Sequence, residues 1–253
     1  MASSPSPSAP VSTDRRRRRL LIAAAVAAVV LIAAGGGLWW FLRDDAPAKV
    51  DLEQAAAGVS TVPGGRATAL PGTWTVDTST GSFDFDQASG TFAGFRVAEQ
   101  LSNIGAATAV GRTGSVSGSM TIVGSEVTDA TFEVDLTSIT TDREQRDRRV
   151  QQALETDRFP TATFTLASPI TLPADAGSGA EIEVQAKGRL TIHGVSRAVT
   201  VPLKAKLVGR TVVVVGSIDL RFSDFGVTVP SAPVVLSVDD HGTMELQVLL
   251  TKG

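Results

Sequence analysis

The 253-residue chain has no cysteine, no tyrosine and only two histidines, and its aromatic residues amount to 5%. Without cysteine there is no disulfide, no thiolate metal site, no cysteine nucleophile and no lipidated N-terminal cysteine. His193 and His241 alone do not build the usual His/Cys zinc centre. No Gly-x-Ser-x-Gly elbow stands in a strand-to-helix context, and no Gly-x4-Gly-Lys-Ser/Thr phosphate loop occurs. The expectation is a non-enzyme with no catalytic residue, no metal and no cofactor. Both histidines fall in turn segments and read as exposed turn residues rather than as members of a triad.

Positive charge is scarce outside the N-terminus. Residues 1–43 hold Arg15 to Arg19 and Arg43 against Asp14, which leaves residues 44–253 with a net charge of −8. An acidic domain repels nucleic-acid phosphates, so no nucleic-acid partner is expected. Arginine outnumbers lysine 18 to 5, and Ala, Val and Gly are abundant, a composition typical of a GC-rich bacterial genome.

The N-terminus has a membrane pattern. Residues 1–19 form a Ser/Pro/Ala-rich, disordered tail ending in the five arginines. Leu20 to Leu42 follow without a charge, and as a helix they cover roughly 35 Å, enough to cross a bilayer core of about 30 Å. Trp39, Trp40 and Phe41 stand at the end of the run, where aromatic rings favour the interface. Arginines stay on the cytoplasmic side, so the expectation is a single-pass plasma-membrane protein with residues 44–253 extracytoplasmic. The alternative is a signal peptide cleaved at Ala46-Pro47-Ala48, although its apolar stretch is longer than the usual 7–15 residues or so.

Residues 43–70, with Pro47, Pro63, Gly64 and Gly65, read as a mobile linker, the alternative being an element packed on the domain. From residue 71 to 253 the pattern becomes short alternating runs. Candidate strands are 73–76, 91–97, 115–123, 127–136, 162–170, 181–192, 198–208, 211–221, 234–238 and 243–250. Turn signals at Gly124-Ser125, His193-Gly194, Gly209-Arg210 and Asp240-His241-Gly242 separate them. This favours an antiparallel sandwich or barrel. Residues 142–156 break the pattern: Val150, Ala153 and Leu154 at i, i+3 and i+4 predict a short helix resting on the sheet.

Four blocks carry a family resemblance over residues 72 to 250. They are Gly72 to Asp77 with Gly94 to Val97; Val134 to Thr141 with Arg146-Asp147 and Arg158 to Phe164; Gly188 to Ser196 with Val199 to Leu203; and Ile218 to Gly226, IDLRFSDFG. In this order and spacing the chain resembles the YceI family of polyisoprenoid-binding, lipocalin-like proteins. The resemblance implies an all-β, antiparallel, eight-stranded barrel whose apolar interior holds a lipid. The chain departs from the family at Ala98-Glu99, where a histidine often stands, and at Arg148-Arg149-Val150, where Glu-His-Leu often does. Residues 78–90 resemble an insertion.

Candidate ligand-contacting residues are Trp74, Phe95, Val97, Phe132, Phe164, Phe222 and Phe225, each equally accounted for by core packing. Burying a prenyl chain gains about 0.8 kcal/mol per CH₂, so affinity needs no specific polar contact. Arg146 and Asp147 are candidates for the barrel mouth and a ligand head group, with a helix-fixing ion pair as the alternative. The expected partner is an apolar lipid such as a polyprenyl chain or a quinone. The competing expectation is a filled barrel serving as an envelope structural or protein-interaction module.

Overall fold

A computed structural model describes residues 46–59, 69–101, 105–228 and 235–252. The predicted span at 20–42 lies outside them, and among the described residues no helix is long and apolar enough to cross a membrane. The described chain is an all-β, antiparallel barrel with two short helices, α1 (Leu52–Ala57) and α2 (Glu144–Ala153).

Eight strands close the barrel in the order β1 (Gly72–Val76), β4 (Val116–Val123), β5 (Glu126–Asp135), β7 (Thr161–Leu166), β9 (Ile182–Ile192), β10 (Val195–Val208), β11 (Thr211–Arg221) and β12 (Val235–Lys252). The β1–β12 pairing, with Thr75 opposite Thr251, completes the ring and removes the free edge. β12 is long enough to carry a second neighbour on the same edge, β2 (Phe92–Leu101), which pairs in turn with β3 (Gly105–Thr113) and then β6 (Thr140–Thr141). A two-residue strand, β8 (Ile170–Thr171), pairs with the start of β5.

Local chemistry accounts for the hairpins. β9 and β10 turn at His193 (φ 52°) and Gly194 (φ 72°), the left-handed pair that a two-residue hairpin requires. Alternation then decides which side chains enter the barrel. On β9 the inward set is Ile182, Val184, Ala186 and Leu190, while Glu183, Gln185, Lys187 and Arg189 are exposed.

The structure departs from the sequence expectation at three places. β3 lacks a predicted counterpart, because GAATAVGRT is poor in β-branched residues and is buried from Ala109 to Thr113 without alternation. The expected strands 234–238 and 243–250 are one strand, although Val234 itself lies outside the described residues. Between Val238 and Gly242 the register shifts against β2, while the pairing with β11 runs unbroken from His241 to Thr251. The third departure is the linker. Residues 60–68 lie outside the described residues, but 46–59 lie on the barrel. Asp51 caps α1 by accepting from Gln54 N at 2.9 Å, and Leu52, Ala55 and Val59 bury against Val213, Val215 and Leu249 on the outward face of β11 and β12. A six-residue helix is marginal alone, so this packing is what holds it.

The far side of the barrel is plugged by the predicted helical excursion. Val150 and Leu154 pack with Leu136, Ile139 and Ala162, and Ala153 and Leu154 with Leu190, Phe225 and Val227. The apolar spacing expected from the sequence therefore meets the barrel end.

Candidate functional site

The barrel encloses a cavity of about 170 Å³ whose lining is almost wholly apolar. Every closing strand but β1 contributes alternate residues to it: Met120 and Ile122 from β4, Ala130 and Phe132 from β5, Phe164 and Leu166 from β7, Val184 from β9, Leu203 from β10, Val214 from β11 and Leu246 from β12. Part of the lining is less buried than the outward face beneath the N-terminal segment. Inward Val184, Leu203, Val214 and Leu246 are only half-buried, whereas outward Val213 and Leu249 are fully buried beneath α1. Lys206 and Glu245 border the space, but their charged ends point elsewhere, to Glu53 and to Arg96 and Arg112.

Inward glycines help keep the space open. A Cβ on Gly118 would lie 2.9 Å from Phe132 Cδ1, one on Gly216 would lie 2.5 Å from Leu203 Cδ2, and one on Gly188 would overlap the Phe164 ring. Each of these large side chains thus leans over a glycine of the neighbouring strand while still bordering the space.

Polar chemistry lies outside the bore. Arg146 Nη2 donates to Glu99 Oε1 at 2.6 Å, joining α2 to β2, and its Nη1 pairs with Asp142 Oδ1. Asp147 Oδ1 accepts from Thr141 N and Oγ1, both at 2.7 Å, and so fixes the start of α2 to β6. A second cluster is buried under the N-terminal segment. Glu245, 1% exposed, accepts from Arg96 Nε at 2.8 Å and from Arg112 Nη2 at 2.7 Å. The same guanidiniums donate outward to main-chain carbonyls, Arg112 Nη2 to Ala48 O at 2.6 Å and Arg96 Nη2 to Ala48 O at 2.7 Å and to Pro47 O. Arg112 also stacks on Phe92, 4.6 Å from the ring centroid.

The profile of the YceI-like domain matches residues 74–250. The chain belongs to the YceI family. A polyisoprenoid-binding domain from Saccharophagus degradans, implicated in plant cell wall breakdown, is 15% identical. The similarity covers 72% of this chain and 99% of that one, with a TM-score of 0.52. BcnA of Burkholderia cenocepacia is 20% identical, covering 69% and 98%, with a TM-score of 0.49. The YCEI protein of Campylobacter jejuni is 18% identical, covering 56% and 84%, with a TM-score of 0.46. No curated protein matches the chain.

Within this YceI barrel, the candidate aromatic residues divide by position. Phe132 and Phe164 border the cavity. Trp74, fully buried, packs in the same apolar cluster as Met120, Ile122, Val248 and Leu250 without bordering the space, and its Nε1 donates to Leu70 O at 2.8 Å. Phe95 lies in the plug with Leu136 and Ile139, and Phe222 and Phe225 lie in the plug with Leu190 and Val227. Val97 is buried away from the cavity. Arg146 pairs with Glu99 and Asp142, and Asp147 accepts hydrogen bonds from Thr141, so both make contacts that hold α2 in place. His193 corrects the expectation of an exposed turn: its ring packs edge-on against Phe159 at 4.7 Å, with Nε2 3.2 Å from Glu155 Oε1. The Arg96–Glu245–Arg112 cluster has no sequence counterpart. Arg96 and Glu245 are ordinary polar positions on alternating strands, Arg112 lies on the non-alternating β3, and only the Gly94 to Val97 block draws attention to Arg96.

Proposed function

We propose that this protein is a membrane-anchored, extracytoplasmic, non-catalytic lipid-binding protein that shelters a polyisoprenoid or quinone-type chain in its barrel. The observation that carries the reading is the hollow, almost wholly apolar bore in a YceI-family barrel. At about 24 cal/mol per Å³, an unfilled void of this size costs on the order of 4 kcal/mol, which a bound chain removes. Among the described residues no charged side chain points into the bore, so the ligand is recognised by its hydrocarbon and keeps any polar head outside it. The polyisoprenoid assignment is supported by the family and by the described binding of the Saccharophagus degradans relative. The anchor is supported by the charge-free run from Leu20 to Leu42 behind five arginines.

The bore argues against the alternative of a filled structural module, since that reading requires inward side chains packed to the centre. Native mass spectrometry of protein purified from its own membrane tests the proposal: a bound lipid of prenyl or quinone mass is expected. Ligand-free protein that also takes up no added prenol would overturn it. N-terminal sequencing of the mature chain tests the anchor, which a start near Lys49 would remove.

A further inference from the structure

The lining of the bore changes along its length. On β5, Ala130 belongs to the upper apolar cluster with Met120, Ile122 and Val248, and Val134 belongs to the plug cluster with Leu136 and Ile139. Phe132 stands between them. On β7, Leu166 packs with the upper cluster and Ala162 with the plug, and Phe164 stands between them. The two phenylalanines are direct register partners, so their side chains leave the wall at the same level. They lean apart, Phe132 toward Gly118 on β4 and Phe164 toward Gly188 on β9. Below them the cavity still touches Val134, Ala162, Leu190 and Met244, which are the upper surface of the plug.

We propose that Phe132 and Phe164 form an internal constriction that sets the length of hydrocarbon chain the barrel admits, the glycine recesses deciding how far the rings stand clear of the bore. The proposal rests on the lipid-binding reading above and names the specificity determinant of that site. A chain threading the bore meets the ring pair before it reaches the plug, and the rings occupy volume that its terminal units would otherwise fill. Since burial is worth roughly 0.8 kcal/mol per CH₂, affinity should climb with chain length until the tip reaches the constriction and then level off.

The test uses the full-length protein held in amphipol and a ladder of all-trans prenols from farnesol upward, with binding read by displacement of a fluorescent fatty acid and confirmed by native mass spectrometry. For the unaltered protein, affinity rises with each isoprene unit and reaches a plateau. Phe164→Ala and Phe132→Ala move that plateau to a chain longer by one isoprene unit or more, with roughly ten-fold or greater tightening for the first prenol beyond the original plateau. Phe164→Leu and Phe132→Leu, which keep an apolar wall and guard against misfolding of the alanine variants, shift it in the same direction by less. Folded variants that bind prenols with the plateau unmoved would overturn the constriction and leave the lipid-binding reading intact. Failure of the unaltered protein to bind any prenol would instead overturn that reading, and the constriction with it.

Discussion

Glu245 is a carboxylate with 1% exposure, sealed between two guanidiniums, and its energetics are those of desolvation rather than of simple attraction. Removing its charge leaves Arg96 and Arg112 buried with only main-chain carbonyls and each other for company. Glu245→Gln should therefore lower the unfolding free energy by about 3–5 kcal/mol in a urea titration, and a loss below roughly 1 kcal/mol would mean that water reaches the cluster. Asp77 shows a milder balance. Burial alone would raise its pKa, but hydrogen bonds from the hydroxyls and amides of Ser79 and Thr80 outweigh that and hold it below the ordinary value. A depressed folded-state pKa means stability that is present above the unfolded value, near 3.9, and lost as pH falls through the folded one. Asp77→Asn should flatten the loss of stability below about pH 4, and an unchanged acid limb would show that the carboxylate contributes nothing to it.

Among the elements, the N-terminal segment is the one whose role differs most from its sequence. Residues 46–59 cross the outward face of β2, β3, β12 and β11, held by carbonyls at Pro47 and Ala48 and by the apolar face of α1. They make that wall two layers thick, and residues 78–90 complete the cover, where Gln247 Nε2 donates to Gly90 O at 2.8 Å. Leu52→Ala should cost about 2–5 kcal/mol, as for a buried core leucine, because it opens a cavity over Val213 and Leu249. Asp51→Ala removes only the cap bond to Gln54 N and should cost about 1 kcal/mol. Equal effects from the two substitutions would mean that α1 is held by its cap and not by its packing. Chemical denaturation of both variants decides between these outcomes.

At the scale of the molecule, one face of each strand makes a greasy bore and the other makes either a solvated surface or the floor of a second layer. The bore is kept open at some cost in stability, and that cost is the handle for a test. Ala130→Leu adds apolar bulk to the lining, so it should raise the thermal midpoint of the lipid-free protein while weakening prenol binding. Stability and binding that fell together would indicate overpacking of a wall without spare room. Thermal unfolding with and without farnesol separates the two results.

Most of the barrel is legible in the chain because its signals are local. Period-two alternation places Ile182, Val184, Ala186 and Leu190 on one face, His193-Gly194 sets a hairpin, and Val150, Ala153 and Leu154 mark the plug helix. The charge-free run at 20–42 and the four family blocks belong to the same level of information. Whether an apolar residue borders the cavity or sits in the plug is different, since Phe132 does the first and Phe225 the second with the same side chain. β3 and the buried Arg96–Glu245–Arg112 cluster were also beyond local reading. The first has no alternation because it is covered on both faces, and the second joins residues 133 and 149 positions apart. By itself, then, the sequence determined the family, the barrel and the apolar character of its interior. Only the tertiary structure decided that the interior stays hollow and that residues 46–59 are part of the wall, because both depend on volumes and charges summed across strands far apart in the chain.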